Sequence, residues 1–163
     1  MLNITEMKSA LLSLACALAA LGVYVATLTP GVFWGDSAEL TVSAYVLGIA
    51  HPPGYPLYML LGKLFITLTP FEGVAYSMNL LSALFGSLAV GVVFLIARRI
   101  AGNPFIAAVT ALALAFSYRF WRESIIAEVY TLHALFLSLI LLFLILWRDT
   151  GYKRYAFLTA GTF

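Results

Sequence analysis

Asp36 and Glu39 stand one helical turn apart in Trp34-Gly35-Asp36-Ser37-Ala38-Glu39-Leu40. On a helix that spacing puts both on one face, where two carboxylates can hold a proton between them or share a metal ion. The same spacing is that of a capping box, an N-cap acid with Glu three residues on, so Asp36 has two readings, helix cap or site acid. Phe33 and Trp34 precede it; aromatics beside an acid suit a sugar site and equally an interfacial anchor. His51 opens His51-Pro52-Pro53-Gly54-Tyr55-Pro56, a segment whose prolines forbid a continuous helix. A histidine fixed in a rigid turn can serve as base, metal ligand or hydrogen-bond donor near neutral pH, or be an ordinary exposed turn residue. Tyr55 and Tyr58 flank the turn. A second cluster, Arg119, Arg122, Glu123 and Glu128, lies within residues 118–130. Arginine suits bidentate phosphate recognition; pairing with a neighbouring Glu, or snorkelling from a helix end, is the plainer role. Glu128 begins an apolar run, where an ionisable group is hard to solvate. His133, deeper in that run, is expected to hydrogen-bond between helices.

The elements that must position these residues are membrane helices. Of 163 residues, 63% are hydrophobic and 10% charged, against about 45–50% and 25% in soluble domains. Soluble, disordered and disulfide-scaffold classes are excluded. The single cysteine, Cys16, excludes an internal disulfide, and a net charge of +2 gives no basis for a nucleic-acid partner. No glycine-rich phosphate loop, HExxH, CxxC or GxSxG is present. The uncharged runs predict an all-α, polytopic transmembrane bundle with spans at about 10–29, 73–98, 103–118 and 129–147. A fifth run at 155–163 stops after about two and a half turns. The whole of 1–163 therefore reads as one transmembrane domain of a truncated, longer chain. Asn103-Pro104 starts the third span as N-cap and first helical residue.

Lys8, Arg98, Arg99, Arg148, Lys153 and Arg154 fall on one side of four alternating spans, and Lys63, Arg119 and Arg122 on the other. The positive-inside rule makes the first side, with the N-terminus, cytoplasmic. Loops 30–72 and 119–128 are then external, with acids Asp36, Glu39, Glu72, Glu123 and Glu128. Ser37–Ala50 and Pro56–Leu68 are too short to span, and predict two juxtamembrane helices in the first external loop. Asn79 reads as packing glue, and Ala83, Ser87 and Gly91 as a small-residue stripe for close helix contact.

The segments Trp34–Leu40, Gly48–Tyr58 (GIAHPPGYPLY), Asn79–Ala83 and Glu128–Leu132 resemble, in order, a family of polytopic proteins that includes the plexin-type protein O-mannosyltransferase. That family belongs to the GT-C superfamily of membrane glycosyltransferases. The resemblance implies a GT-C helical fold and transfer of a sugar, such as mannose, from a polyprenyl or dolichyl phosphate to a protein or glycan hydroxyl on the non-cytoplasmic face. It makes Asp36 the catalytic acid of the first loop. Glu39, His51, Tyr55, Arg122 and Glu128 are then substrate-binding candidates, with Arg122 or Arg119 on the donor phosphate. A divalent metal on Asp36 and Glu39 stays open. The implied setting is a multi-pass protein of a bacterial or archaeal cell membrane or of the endoplasmic reticulum, with membrane lipids as neighbours. The competing functions are a transporter subunit, which needs acids at the bilayer midplane, and a non-catalytic assembly protein built on the small-residue stripe.

Overall fold

The computed structural model describes residues 4–70 and 73–161; Glu72, counted above among the external acids, lies outside them. The described residues form helices only: α1 (Ile4–Ala26), α2 (Asp36–Val46), α3 (Pro56–Leu68), α4 (Val74–Ala101), α5 (Pro104–Ala115), α6 (Tyr118–Ser124), α7 (Tyr130–Thr150) and α8 (Lys153–Gly161). Helices α1, α4 and α7 are long and apolar enough to cross a membrane, and α5 with α6 passes the same test as a pair bent by 65°. The protein is thus an all-helical, multi-pass membrane protein with three such helices, or four with the bent pair. Leucines such as Leu11, Leu14, Leu18, Leu137 and Leu141 are exposed on the outer faces, as lipid-facing positions should be. The uncharged run 100–118 is not one helix: α4 runs to Ala101, α5 ends at Ala115, and the chain turns at Phe116-Ser117 into α6. Asn103 caps α5, its side chain accepting from the N–H groups of Phe105 and Ile106, ahead of a proline that lacks the N–H.

Helix α4 is the axis. On one side Ala83, Val90 and Phe94 pack with Cys16, Ala20 and Tyr24 of α1 and Ala107, Ala111 and Ala115 of α5. The small-residue stripe lets α1 approach: the Ser13 hydroxyl donates to the Gly91 carbonyl at 2.8 Å, and a Cβ at Gly91 would stand 3.3 Å from that of Ala17. The Tyr24 hydroxyl donates to Ala115 O at 2.9 Å, satisfying a carbonyl that the end of α5 leaves open. On the other side Met78 packs with Leu40 and Ala44 of α2, Tyr58 and Met59 of α3, Ala127, and Leu132 of α7. Helices α2 and α3 form the short hairpin expected between the first two long helices. Gly62 of α3 has no room for a Cβ, which would lie 2.7 Å from Met78 Sδ and 3.0 Å from Ala44 Cβ.

Gly86 is the tightest point between α4 and the α6–α7 corner, since a Cβ there would stand 2.5 Å from Ser124 Oγ and 3.4 Å from a Thr131 methyl. Gly86→Ala should destabilise the protein by about 1–3 kcal/mol through overpacking. Gly22→Ala, where a Cβ meets nothing within 4 Å, should be neutral or slightly stabilising. Thermal unfolding of both variants in detergent checks this; equal midpoints would contradict the packing described.

Candidate active site

The site is built where three connections meet at the N-terminal end of α4. The chain leaving α1 is held there by Asn79, whose side-chain amide donates to Thr29 O at 2.7 Å and Gly31 O at 2.9 Å. The residue read as interhelical glue therefore anchors a loop. Five residues after Gly31, α2 begins, capped by Gly35 at φ 81° with no side-chain capping bond. That left-handed conformation suits glycine. Asp36 is thus the first residue of the helix rather than its cap. Its carboxylate is exposed, and both it and Glu39 benefit from the positive end of the α2 dipole.

Glu39 does not close a capping box either. Its carboxylate crosses to the turn after α2 and takes both donors of His51: the backbone N–H at 2.7 Å and ring Nδ1 at 2.8 Å. Because an ionised carboxylate only accepts, the hydrogen on that ring sits on Nδ1. Ring Nε2 then faces the remaining groups, with Asp36 Oδ2 at 3.9 Å and the Tyr55 hydroxyl at 3.4 Å. The Tyr55 ring meets the imidazole edge-on, centroids 5.4 Å apart. The hydrogen bond to His51 holds the Glu39 carboxyl below its usual range, and the same bond raises His51, helped by the charges of Asp36 and Glu128.

Glu128 enters from the segment between α6 and α7. The Ser82 hydroxyl of α4 takes the Glu128 N–H at 3.1 Å, lies 3.3 Å from the Glu128 carbonyl, and is met by the Tyr58 hydroxyl at 3.2 Å. The Thr29 N–H donates to Ile125 O at 3.1 Å, joining the first connection to this one. Glu128 is buried. Burial, with the negative charges of Glu123 and Asp36, pushes its carboxyl up to about 7, against the pull of Arg122 and His51. Near neutral pH it is therefore divided between a form that donates and one that only accepts.

The two arginines separate. Arg119 pairs with the buried Glu123, Nε to Oε1 at 3.0 Å. Arg122 is exposed, and its guanidinium makes no hydrogen bond or ion pair among the described residues. Beside the cluster an apolar cavity of about 260 Å³ is lined by Pro53, Tyr55, Tyr58, Leu132, His133 and Phe136. Among the described residues the His133 side chain makes no hydrogen bond of the expected interhelical kind; the residue is exposed and lines that cavity. Trp34 is 90% exposed. Among the described residues no group of three or more His, Cys, Asp or Glu is placed to hold a metal, and Glu39 has both oxygens on His51. Asp36, Glu39, His51, Tyr55 and Glu128 are thus brought together from three connections, and Arg122 stands near enough for its charge to act on Glu128. Ser82 and Asn79 carry positioning roles that spacing alone does not reveal.

Over residues 36–161 the chain matches the family described as Protein O-mannosyl-transferase TMEM260 N-terminal domain. It is similar to a Mus musculus protein named Protein O-mannosyl-transferase TMEM260, 44% identical over 119 residues, which are 73% of this chain and 17% of that protein. It is similar also to a Dictyostelium discoideum protein named Protein O-mannosyl-transferase tmem260, 34% identical over 127 residues, 77% of this chain and 15% of that protein. The chain therefore spans less than a fifth of the length of these relatives. No solved structure matches it.

The Glu39–His51 pair is fully charged between the lowered pKa of Glu39 and the raised pKa of His51. Its contribution weakens as pH rises through the His51 value or falls through the Glu39 value. In Glu39→Gln the imidazolium loses its carboxylate, so the His51 titration midpoint should move to lower pH. Titration of ¹⁵N-histidine-labelled protein, with the His51 signal assigned by its loss in His51→Gln, reads this; an unmoved midpoint would show that the pair does not form.

Proposed function

Since the chain belongs to the family of the TMEM260 N-terminal domain, we propose that it is part of a membrane mannosyltransferase of GT-C type. The donor is mannose on a lipid phosphate, the acceptor a protein or glycan hydroxyl, and the reaction lies on the non-cytoplasmic face. One observation carries the reading: Asp36 does not cap its helix but stands 3.9 Å from His51 and close enough for its charge to act on Glu128, as does that of Arg122, which has no ion pair among the described residues. The relatives' names point to the same chemistry.

In this reading the acceptor oxygen attacks the anomeric carbon as the bond from that carbon to the phosphate oxygen breaks. The bonding pair leaves with the phosphate, and the hydroxyl proton passes to the Asp36 carboxylate. Arg122 offers two parallel N–H donors to the phosphate, whose charge grows as the bond breaks. Glu128 in its neutral form donates a hydrogen bond to a sugar or phosphate oxygen, and in its ionised form only accepts, so its protonation couples donor binding to pH near 7. Glu39 holds His51, and His51 Nε2 with the Tyr55 hydroxyl makes the polar wall opposite Asp36. The apolar cavity between α3 and α7 takes the part of the lipid nearest the phosphate. The positive-inside rule puts this end outside. Among the described residues the acids sit in connections, in the short helices α2 and α6, or in the end turns of α1 and α7. That placement does not favour a transport path through the midplane.

The test is mannosyl transfer from polyprenyl- or dolichyl-phosphate mannose in membranes expressing the gene with any downstream sequence included. Asp36→Asn should lower transfer by about 10²-fold or more, the usual weight of a general base. Arg148→Gln, which removes an exposed charge paired with the neighbouring Asp149, should leave it unchanged. Wild-type transfer by Asp36→Asn at matched expression would remove Asp36 from the chemistry.

A further inference from the structure

The opposite end of α4 carries a second charged cluster that the transfer reaction does not use. Arg98 lies 16 residues after Ser82, about 24 Å along the helix from the acid cluster. Four helix ends converge there: the start of α1, the end of α4, the end of α7 and the start of α8. These ends carry Lys8, Arg98, Arg99, Arg148, Lys153 and Arg154 and the acids Glu6 and Asp149. Between them is a cavity of about 520 Å³ whose wall includes Ser9, Leu95, Arg98, Arg99, Leu146 and Tyr155. The cations are not equivalent. Arg99 meets Asp149 at 3.6 Å, and Arg148 bonds the same carboxylate at 2.9 Å. Arg154 donates to the Tyr155 hydroxyl at 3.1 Å. Arg98 alone among these arginines has a buried guanidinium nitrogen, Nε, with no hydrogen-bond partner. The rest of the Arg98 side chain is partly exposed and lines the cavity, so the guanidinium has donors to offer an acceptor placed there, and an unanswered charged donor at such a wall favours one.

We propose that this cavity holds the phosphate of an anionic phospholipid, with Arg98 as its principal contact. The ligand must present an acceptor to a planar guanidinium, which a phosphate does well. The Ser9 and Tyr155 hydroxyls in the wall supply further polar contact, and Leu95 and Leu146 give apolar surface for the glycerol and upper acyl chain. Six cations face two acids across the whole cluster, but in the cavity wall itself Glu6 stands with Arg98 and Arg99, and Arg99 shares Asp149 with Arg148. That local balance favours a phosphodiester with one negative charge over a phosphomonoester with two. The site would couple the packing of α1, α4, α7 and α8 to the composition of the leaflet around it. It is independent of the mannosyltransferase reading.

The experiment is native mass spectrometry of the protein released from mixed micelles with equal phosphatidylglycerol and phosphatidylcholine. Wild type should retain phosphatidylglycerol preferentially. Arg98→Gln should lower that retention roughly tenfold, the worth of a charged hydrogen bond, and Arg98→Lys should retain it in part. Arg148→Gln, which removes the same charge from the same end, should retain it fully. Inorganic phosphate should not displace the lipid. Equal retention of the two lipids by wild type overturns the proposal without recourse to any variant. Equal loss in Arg98→Gln and Arg148→Gln reduces it to general basicity, and displacement by inorganic phosphate makes the cavity a small-anion site, either of which also overturns it.

Discussion

The structure depends on two polar side chains of α4 that hold backbone rather than each other. Asn79 donates to two carbonyls of the chain leaving α1, and Ser82 bonds the main chain of Glu128. Both are fully buried in an otherwise apolar helix. A buried carbonyl or N–H in a connecting segment must find a partner. The cheapest way to seat a non-helical segment against a membrane helix is for that helix to supply one. Because Asn79 and Ser82 lie three residues apart, they stand on one face of α4 and draw both connections to the same place. The Thr29–Ile125 backbone bond closes the arrangement.

From that anchoring the electrostatics follow. Seating the connection that carries it buries Glu128, and burial first, then the charges of Glu123 and Asp36, push its carboxyl up to about 7. His51 is drawn in by Glu39 and stands between carboxylates that favour its charged form. The cluster exposes Asp36 to solvent while Glu128 is buried. A carboxyl pushed up to about 7 can exchange a proton near neutral pH, which acid–base chemistry requires. In the second, basic cluster at the far end of α4, Asp149 is shared by Arg99 and Arg148, while Arg98 keeps a buried Nε with no acceptor among the described residues.

Much of the architecture is legible in the apolar runs, because uninterrupted hydrophobicity of sufficient length leaves a chain few choices but helix in lipid. The cap at Asn103 and the short α2–α3 hairpin are legible for the same local reasons. The bend at Phe116-Ser117 is not, since neither proline nor glycine marks it; it is a product of packing, with the Trp121 indole donating to Thr27 Oγ1 at 3.0 Å and its ring meeting Phe116 edge-on. Within the site, residue types near helix starts and turns identify Asp36, His51 and Glu128 as candidates, but spacing misleads over Glu39. A capping box is a local pattern. The bond Glu39 makes is to a residue twelve positions on, and a glycine with positive φ takes the cap instead. The division of labour between Arg119 and Arg122 is likewise a matter of which one α6 turns toward Glu123.

The central claim is that the first-loop acid and the acid before α7 share one site. The most direct measurement is the ¹³C-detected titration of the Glu128 carboxyl in wild type and in Asp36→Asn. The account predicts a midpoint near 7 in wild type and a lower one in the variant, because removing the Asp36 charge removes one of the forces that raise it. An ordinary carboxylate midpoint in wild type, unchanged by the substitution, would contradict it.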